Sequence, residues 1–227
     1  MNNYSFTLTN GNTKLGKGIP SINLPPVVTC NPNAPCFKYC YARRGHFQYN
    51  NVKNCYERNY KAYKENPKQY FKDIAAQTKL FSFVRVHASG DCPDINYLKG
   101  LVWVAKQNPQ TMYLMFTKQY KIVNDYMNHA HKIPSNLRIV FSCWMKWIPD
   151  NPYNFPTTWV RFPETGKEKQ FYKECNSMIP ANSFKCTGYC PDCLMCWKAD
   201  KGQSTEFKKH WLIQNFFKII GGYINVS

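Results

Sequence analysis

Three β-rich stretches restrict what this chain can fold into more than any other feature. Residues 80–87, 111–116 and 136–141 are dense in β-branched and aromatic side chains, and each ends in small or polar residues. Behind the first, Ile95, Leu98, Leu101, Val102 and Ala105 recur at helical spacing, and a second helical pattern covers residues 120–130. Strand starts about one βα unit apart imply parallel strands joined by covering helices. The expected class is therefore α/β, a parallel sheet or a partial TIM-like barrel. In such folds ligands lie beyond the carboxyl ends of the strands. The polar groups at those ends are His87, Ser89, Gly90 and Asp91 after the first, Thr117 and Lys118 after the second, and Ser142 and Cys143 after the third. Each has a plain structural alternative: Ser89-Gly90-Asp91 is equally a turn whose Asp caps the next helix.

Upstream, residues 19–28 read as an extended apolar first strand, preceded by a turn at Asn10-Gly11. Residues 50–78 are helical, with a break where Asn66 caps a second helix that opens on Pro67. Residues 159–162 suggest a short strand, and Trp211, Ile213, Phe216, Phe217 and Ile220 suggest one last helical face. At 227 residues with 44% hydrophobic residues the expectation is one domain, a βα core at 20–160 and a cysteine-rich extension at 161–227.

The chemistry is concentrated in cysteine. Cys186, Cys190, Cys193 and Cys196 fall within eleven residues, a density no packed core needs and a spacing that pairwise disulfides hardly close without strain. Soft thiolates at such spacing point to an iron–sulfur cluster, with zinc as the alternative. A second loop carries Cys30, Cys36 and Cys40, while Cys55, Cys92, Cys143 and Cys175 read as buried thiols. The start of the chain lacks a signal-peptide pattern and no apolar run reaches membrane-spanning length, so a cytoplasmic protein with reduced thiols and no membrane partner is expected. Thirty Lys and Arg against thirteen Asp and Glu give a net charge of +17, which attracts nucleic acid or another polyanion; a solubilising surface explains it equally.

A strand, a cysteine loop, a helix and a strand ending in Ser89-Gly90-Asp91 resemble the opening of a radical S-adenosylmethionine enzyme. That resemblance implies a four-iron cluster (4Fe-4S) on Cys30, Cys36 and Cys40, one iron free to chelate S-adenosylmethionine, an amino-binding turn at Ser89, Gly90 and Asp91, and an electron donor such as flavodoxin or ferredoxin. The spacing departs from that superfamily's, with five and then three residues between the cysteines rather than three and then two. Cys186, Cys190 and Cys193 do have the superfamily spacing, but Cys196 supplies a fourth ligand that would close the site. Leu24-Pro25, Cys36-x3-Cys40-Tyr41-Ala42, His87-Ala-Ser89-Gly90-Asp91, Phe116-Thr117-Lys118 and the closing loop with Trp197 together resemble the phage gene product 88 family. Bacteriophage origin and a place in the infected host cell follow from that resemblance. The enzymatic expectation is a radical-SAM-type modification of an anionic or nucleic-acid-related substrate. The alternative is a non-enzymatic nucleic-acid- or host-protein-binding protein stapled by zinc or an iron–sulfur cluster. One shared metal centre and two separate centres both remain open.

Overall fold

A computed structural model describes residues 5–37 and 40–208. The chain forms β1 (Ser21–Ile22), α1 (Asn50–Glu65), α2 (Pro67–Thr78), β2 (Phe83–Val86), α3 (Ile95–Gln107), β3 (Met112–Thr117), α4 (Tyr120–Asn128), β4 (Leu137–Ser142), β5 (Thr157–Arg161), α5 (Lys169–Ser177), β6 (Phe184–Lys185), α6 (Cys190–Cys193), α7 (Met195–Lys198) and β7 (Ser204–Lys208). Its seven strands make one sheet in the order β1-β2-β3-β4-β5-β7-β6, and every pairing is parallel. The expected α/β class with a parallel sheet is thus present.

Local chemistry accounts for the starts of α2 and α3. Asn66 accepts a hydrogen bond from the Gln69 amide at the start of α2, with Pro67 at its first position, as the sequence requires. The cap of α3 is Asp94, which accepts from the Tyr97 amide; Asp91, the residue suggested by the turn reading, does not cap it. The first strand is shorter than expected. Two residues pair with β2, and the chain then turns through Pro25 and Pro26, which have no amide hydrogen to give a ladder. Near the start, the turn lies at residues 13–18 rather than at Asn10-Gly11, and Thr9 bridges back to Ser21. Ser204–Lys208, within the segment beyond 160, is a strand that pairs with both β5 and β6, so that segment completes the sheet. The expected helical face at 211–220 lies outside the described residues.

Alternation along the strands gives the sheet two unlike faces. Val84, Val86, Tyr113, Met115, Leu137, Ile139 and Phe141 are buried in the large core shared with Tyr70, Ile74, Tyr97, Leu98, Leu101 and Val123 of the helices. The other face carries Phe83, Leu114, Phe116 and Val140. It packs against Leu15, Ile19, Leu194 and the fully buried Trp197. This second face is concave. Phe116 of β3 and Phe207 of β7 stand three strand spacings apart, about 14 Å on a flat sheet, yet their ring centroids are 5.8 Å apart. The cysteine loop with α6 and α7 is seated in that hollow, fixed by a hydrogen bond from the Cys190 amide to the Lys14 carbonyl. Gly16, at φ +64, permits the approach: a β-carbon there would lie 2.9 Å from the Pro191 ring and 3.0 Å from the Tyr189 hydroxyl.

Candidate functional site

The two cysteine groups come from different segments: Cys30, Cys36 and Cys40 from the chain between β1 and α1, and Cys186, Cys190, Cys193 and Cys196 from the chain between β6 and β7. Cys30 ends the loop that leaves β1. Thr29 immediately before it is buried, donates to the Pro25 carbonyl and accepts from the Asp91 amide, while the side chains of Gln119 and Asn31 tie the loop to the end of β3. Val27 in the same loop sits at φ 72, a conformation a β-branched residue rarely adopts, so the tertiary contacts over-determine this turn. Cys36 lies in a single 3-10 turn and Cys40 precedes another. All three sulfur-bearing residues are half-buried. Burial pushes the Cys30 thiol up to about 12, helped by the carboxylate of Asp91, and burial likewise raises Cys40, against the opposing pull of the Ala42 amide, Arg43 and Lys118.

Asp91 is the hub at the carboxyl ends of the strands. Its Oδ1 accepts from the Thr117 hydroxyl (2.7 Å) and from the Cys92 amide (2.7 Å), and its Oδ2 accepts from the Lys118 amide (2.9 Å). Burial raises its pKa, and these hydrogen bonds with the Lys118 ammonium pull the other way. The Lys118 Nζ donates to Ser142 Oγ (2.8 Å). Ser89 donates its hydroxyl to the Leu24 carbonyl, and Gly90 at φ +79 passes so close to Leu24 and Thr29 that a β-carbon would meet them at under 3 Å. Ser89, Gly90, Asp91, Thr117 and Lys118 therefore converge in space next to Cys30, as their places at strand ends suggested.

His87 is placed differently. At φ 62 it leaves the strand alternation, and its Nε2 pairs with the Tyr97 hydroxyl of α3 in the helix layer. Its Nδ1 has no partner among the described residues. Burial, with the nearby Arg85 charge, lowers its pKa to about 3. A neutral histidine in the fold that protonates near 6.5 when unfolded means the unfolded chain binds more protons between those values, so stability is lost as pH falls through that window. Urea melts between pH 6.5 and 3 are expected to show this limb, with a slope of up to about 1.4 kcal/mol per pH unit from this residue. Asp91, with its raised pKa, opposes it in the acid range. His87→Asn, which suits the left-handed backbone, should remove the His87 contribution, and an unchanged pH profile in that variant would contradict it.

On the concave side, Cys190 and Cys193 occupy one helical turn, and Leu194 in a left-handed conformation (φ 49) redirects the chain so that Cys196 follows on a second short turn. Cys196 lies 3.9 Å from the Thr205 hydroxyl and burial raises it to about 11; Cys190 is also raised by burial. Burial lowers the pKa of Arg85 of β2, and the neighbouring Tyr41 of the other cysteine loop, then Cys190, Cys196 and Cys186, oppose that shift. Tyr41 is exposed along its ring, but its hydroxyl reaches into the fold and donates to the Ala88 carbonyl; burial pushes that hydroxyl up to about 12. Among the described residues no three His, Cys, Asp or Glu side chains are drawn together tightly enough to form a finished metal cage. The donor chemistry nevertheless fits a thiolate-bound metal: four soft ligands on one loop, near a half-buried guanidinium whose buried Nε finds no acceptor among the described residues. An open groove of about 830 Å³ runs behind this loop, between Gly16, Lys17, Phe83, Tyr189, Pro191 and Leu194, and no cysteine lines it.

Arg85, Tyr41 and Asn23 were not singled out by the sequence. Asn23, 1% exposed, accepts from the amides of Ala88 and Ser89 and so shapes the turn before Asp91. A charged residue inside the apolar run Phe83-Val84-Arg85-Val86 was the available signal. Cys55, Cys92, Cys143 and Cys175 are buried, as expected.

These features define an α/β protein with a curved parallel sheet and cysteine loops at the carboxyl ends and on the concave face. The chain belongs to the gene product 88 family, whose model matches residues 6–199, and that family fits the bacteriophage origin expected from the separated motifs. No curated protein and no solved structure matches it. No helix among the described residues is long and apolar enough to cross a membrane.

Proposed function

We propose that this protein is an iron–sulfur protein with a partial, radical-SAM-like barrel, in which Cys186, Cys190, Cys193 and Cys196 hold a closed cluster and Cys30, Cys36 and Cys40 hold an open one. The observation that carries the reading is Arg85: its Nε is buried without an acceptor among the described residues, and its guanidinium lies over Phe116, which packs in the same cluster as Cys190 and Cys196. Bound at Cys30, Cys36 and Cys40, a four-iron cluster would supply one-electron reduction of S-adenosylmethionine. The chain's own contribution is positioning. The Asp91 Oδ2 accepts one hydrogen bond, from the Lys118 amide, and keeps acceptor capacity for an amino group, beside Cys30. Lys118 and Ser142 form the adjoining wall, where an anionic substrate would find an ammonium group.

The second reading is a polyanion-binding protein in which zinc staples the cysteine loops, favoured by the net charge of +17. One experiment separates them. Protein purified without oxygen is analysed for iron, sulfide and zinc, then mixed with S-adenosylmethionine and a reductant. Iron with matching sulfide, followed by release of 5′-deoxyadenosine and methionine, is the expected result. Stoichiometric zinc without iron would overturn the cluster, and iron with no nucleoside release would leave an iron–sulfur protein without the radical chemistry.

A further inference from the structure

We propose that Arg85 is the internal counter-charge of the metal centre in the C-terminal cysteine loop, and that the anionic thiolate–metal group satisfies its buried Nε, which has no acceptor among the described residues. The inference rests on the reading of Cys186, Cys190, Cys193 and Cys196 as metal ligands. It adds a residue that holds the centre without ligating it.

The argument begins on β2. Phe83 and Arg85 share the concave face, and the Arg85 guanidinium lies over the Phe116 ring, 4.0 Å from its centroid. A ring face offsets only part of the cost of taking a cation out of water. The buried Nε has no acceptor among the described residues. Three carboxylates of the sheet and its loops have partners of their own: Glu206 holds Arg161 with a bridge of 2.6 Å, the exposed Asp200 lies 3.9 Å from Arg138, and Asp91 takes the hydrogen bonds of Thr117, Cys92 and Lys118. Phe116 packs in the same cluster as Cys190 and Cys196, and the groups whose charge acts on Arg85 are Tyr41, whose hydroxyl is a donor to Ala88, and the thiols of Cys190, Cys196 and Cys186.

Those neighbours are neutral as thiols and anionic as metal ligands, because ligation removes their protons. Four thiolates outweigh the charge of a divalent ion, so a guanidinium beside them meets net negative charge, and its planar fork can donate to more than one sulfur. Arg85 therefore disfavours the metal-free state, in which the buried Nε of this half-buried side chain has no acceptor among the described residues, and favours the loaded one.

This predicts a change of sign. Arg85→Met keeps the stem volume and the contact with Phe116 while removing the charge. It should raise the melting temperature of the metal-free protein and lower that of the metal-loaded protein. With an iron–sulfur cluster in place it should also move the midpoint potential to more negative values, since a positive charge beside the cluster favours its reduced form. Thermal melts of both states, made without oxygen, with iron, zinc and sulfide counted in each sample, read this directly. If wild-type protein takes up neither iron nor zinc, the metal reading fails and this assignment falls with it. If wild-type protein loads metal but Arg85→Met shifts both melts in the same direction, the ligand reading stands and the role of Arg85 is overturned. Should Arg85→Met not fold, Arg85→Gln, which is neutral and retains a donor, is judged by the same two melts.

Discussion

Replacing both Cys190 and Cys193 by alanine is expected to abolish metal uptake at the C-terminal loop and to release that loop from the sheet. The two thiols share one helical turn, so no rearrangement of the remaining pair restores a four-ligand site. Metal binding at structural thiolate sites is worth on the order of 10 kcal/mol, and where the site does not exist in the unfolded chain that energy is folding energy. Here the loop also plugs the concave face through Trp197, which is 1% exposed, packs edge-on against Phe83 and donates to the Val84 carbonyl. Loss of the centre should therefore expose Trp197, shift tryptophan emission to the red, and open residues 186–199 to protease. The helix-covered face has its own core, so helical signal should survive. Cys36→Ala or Cys40→Ala should empty the other loop with much less damage, because that loop is also tied down through Thr29, Asn31 and Gln119. Loss of all iron on either pair of substitutions in a folded protein would replace two centres by one shared centre.

Asp91→Ala is expected to destabilise the protein by about 3–5 kcal/mol, because it strands the Thr117 hydroxyl and the amides of Cys92 and Lys118 at a buried junction. Urea unfolding measures it directly. Asp91→Asn, which retains one carbonyl oxygen for two of those donors, should cost distinctly less. The asparagine variant is thus the one that tests chemistry. If Asp91 receives the amino group of S-adenosylmethionine, Asp91→Asn should weaken that binding while the iron content stays at the wild-type level. Equal stability of the alanine and wild-type proteins would mean that these hydrogen bonds do not organise the carboxyl ends of the strands.

The same residue illustrates how far the sequence reaches. Asp91 was legible as a strand-end acid, since it closes a β-rich run, although the same Ser-Gly-Asp read equally as a turn that caps the next helix. Its partners were not, because Thr117 and Lys118 are 26 and 27 residues away. The break at Asn66-Pro67 and the spacing of the βα units were likewise local signals. The cap of α3 was misplaced by three residues, since Asp91 and Asp94 both stand before the helix and only the packing of the turn decides between them.

By itself the sequence determined the alternation of strands and helices, the parallel sheet and the two cysteine loops, because periodicity, capping and ligand spacing are properties of short segments. The tertiary structure decided that β7 enters between β5 and β6, that the sheet curves until Phe116 meets Phe207, and that both cysteine loops border Arg85. Strand order, curvature and the satisfaction of a buried charge depend on which distant groups share a neighbourhood. Arg85 reads in the sequence as one basic residue among thirty, and only its surroundings reveal that its buried Nε has no acceptor among the described residues.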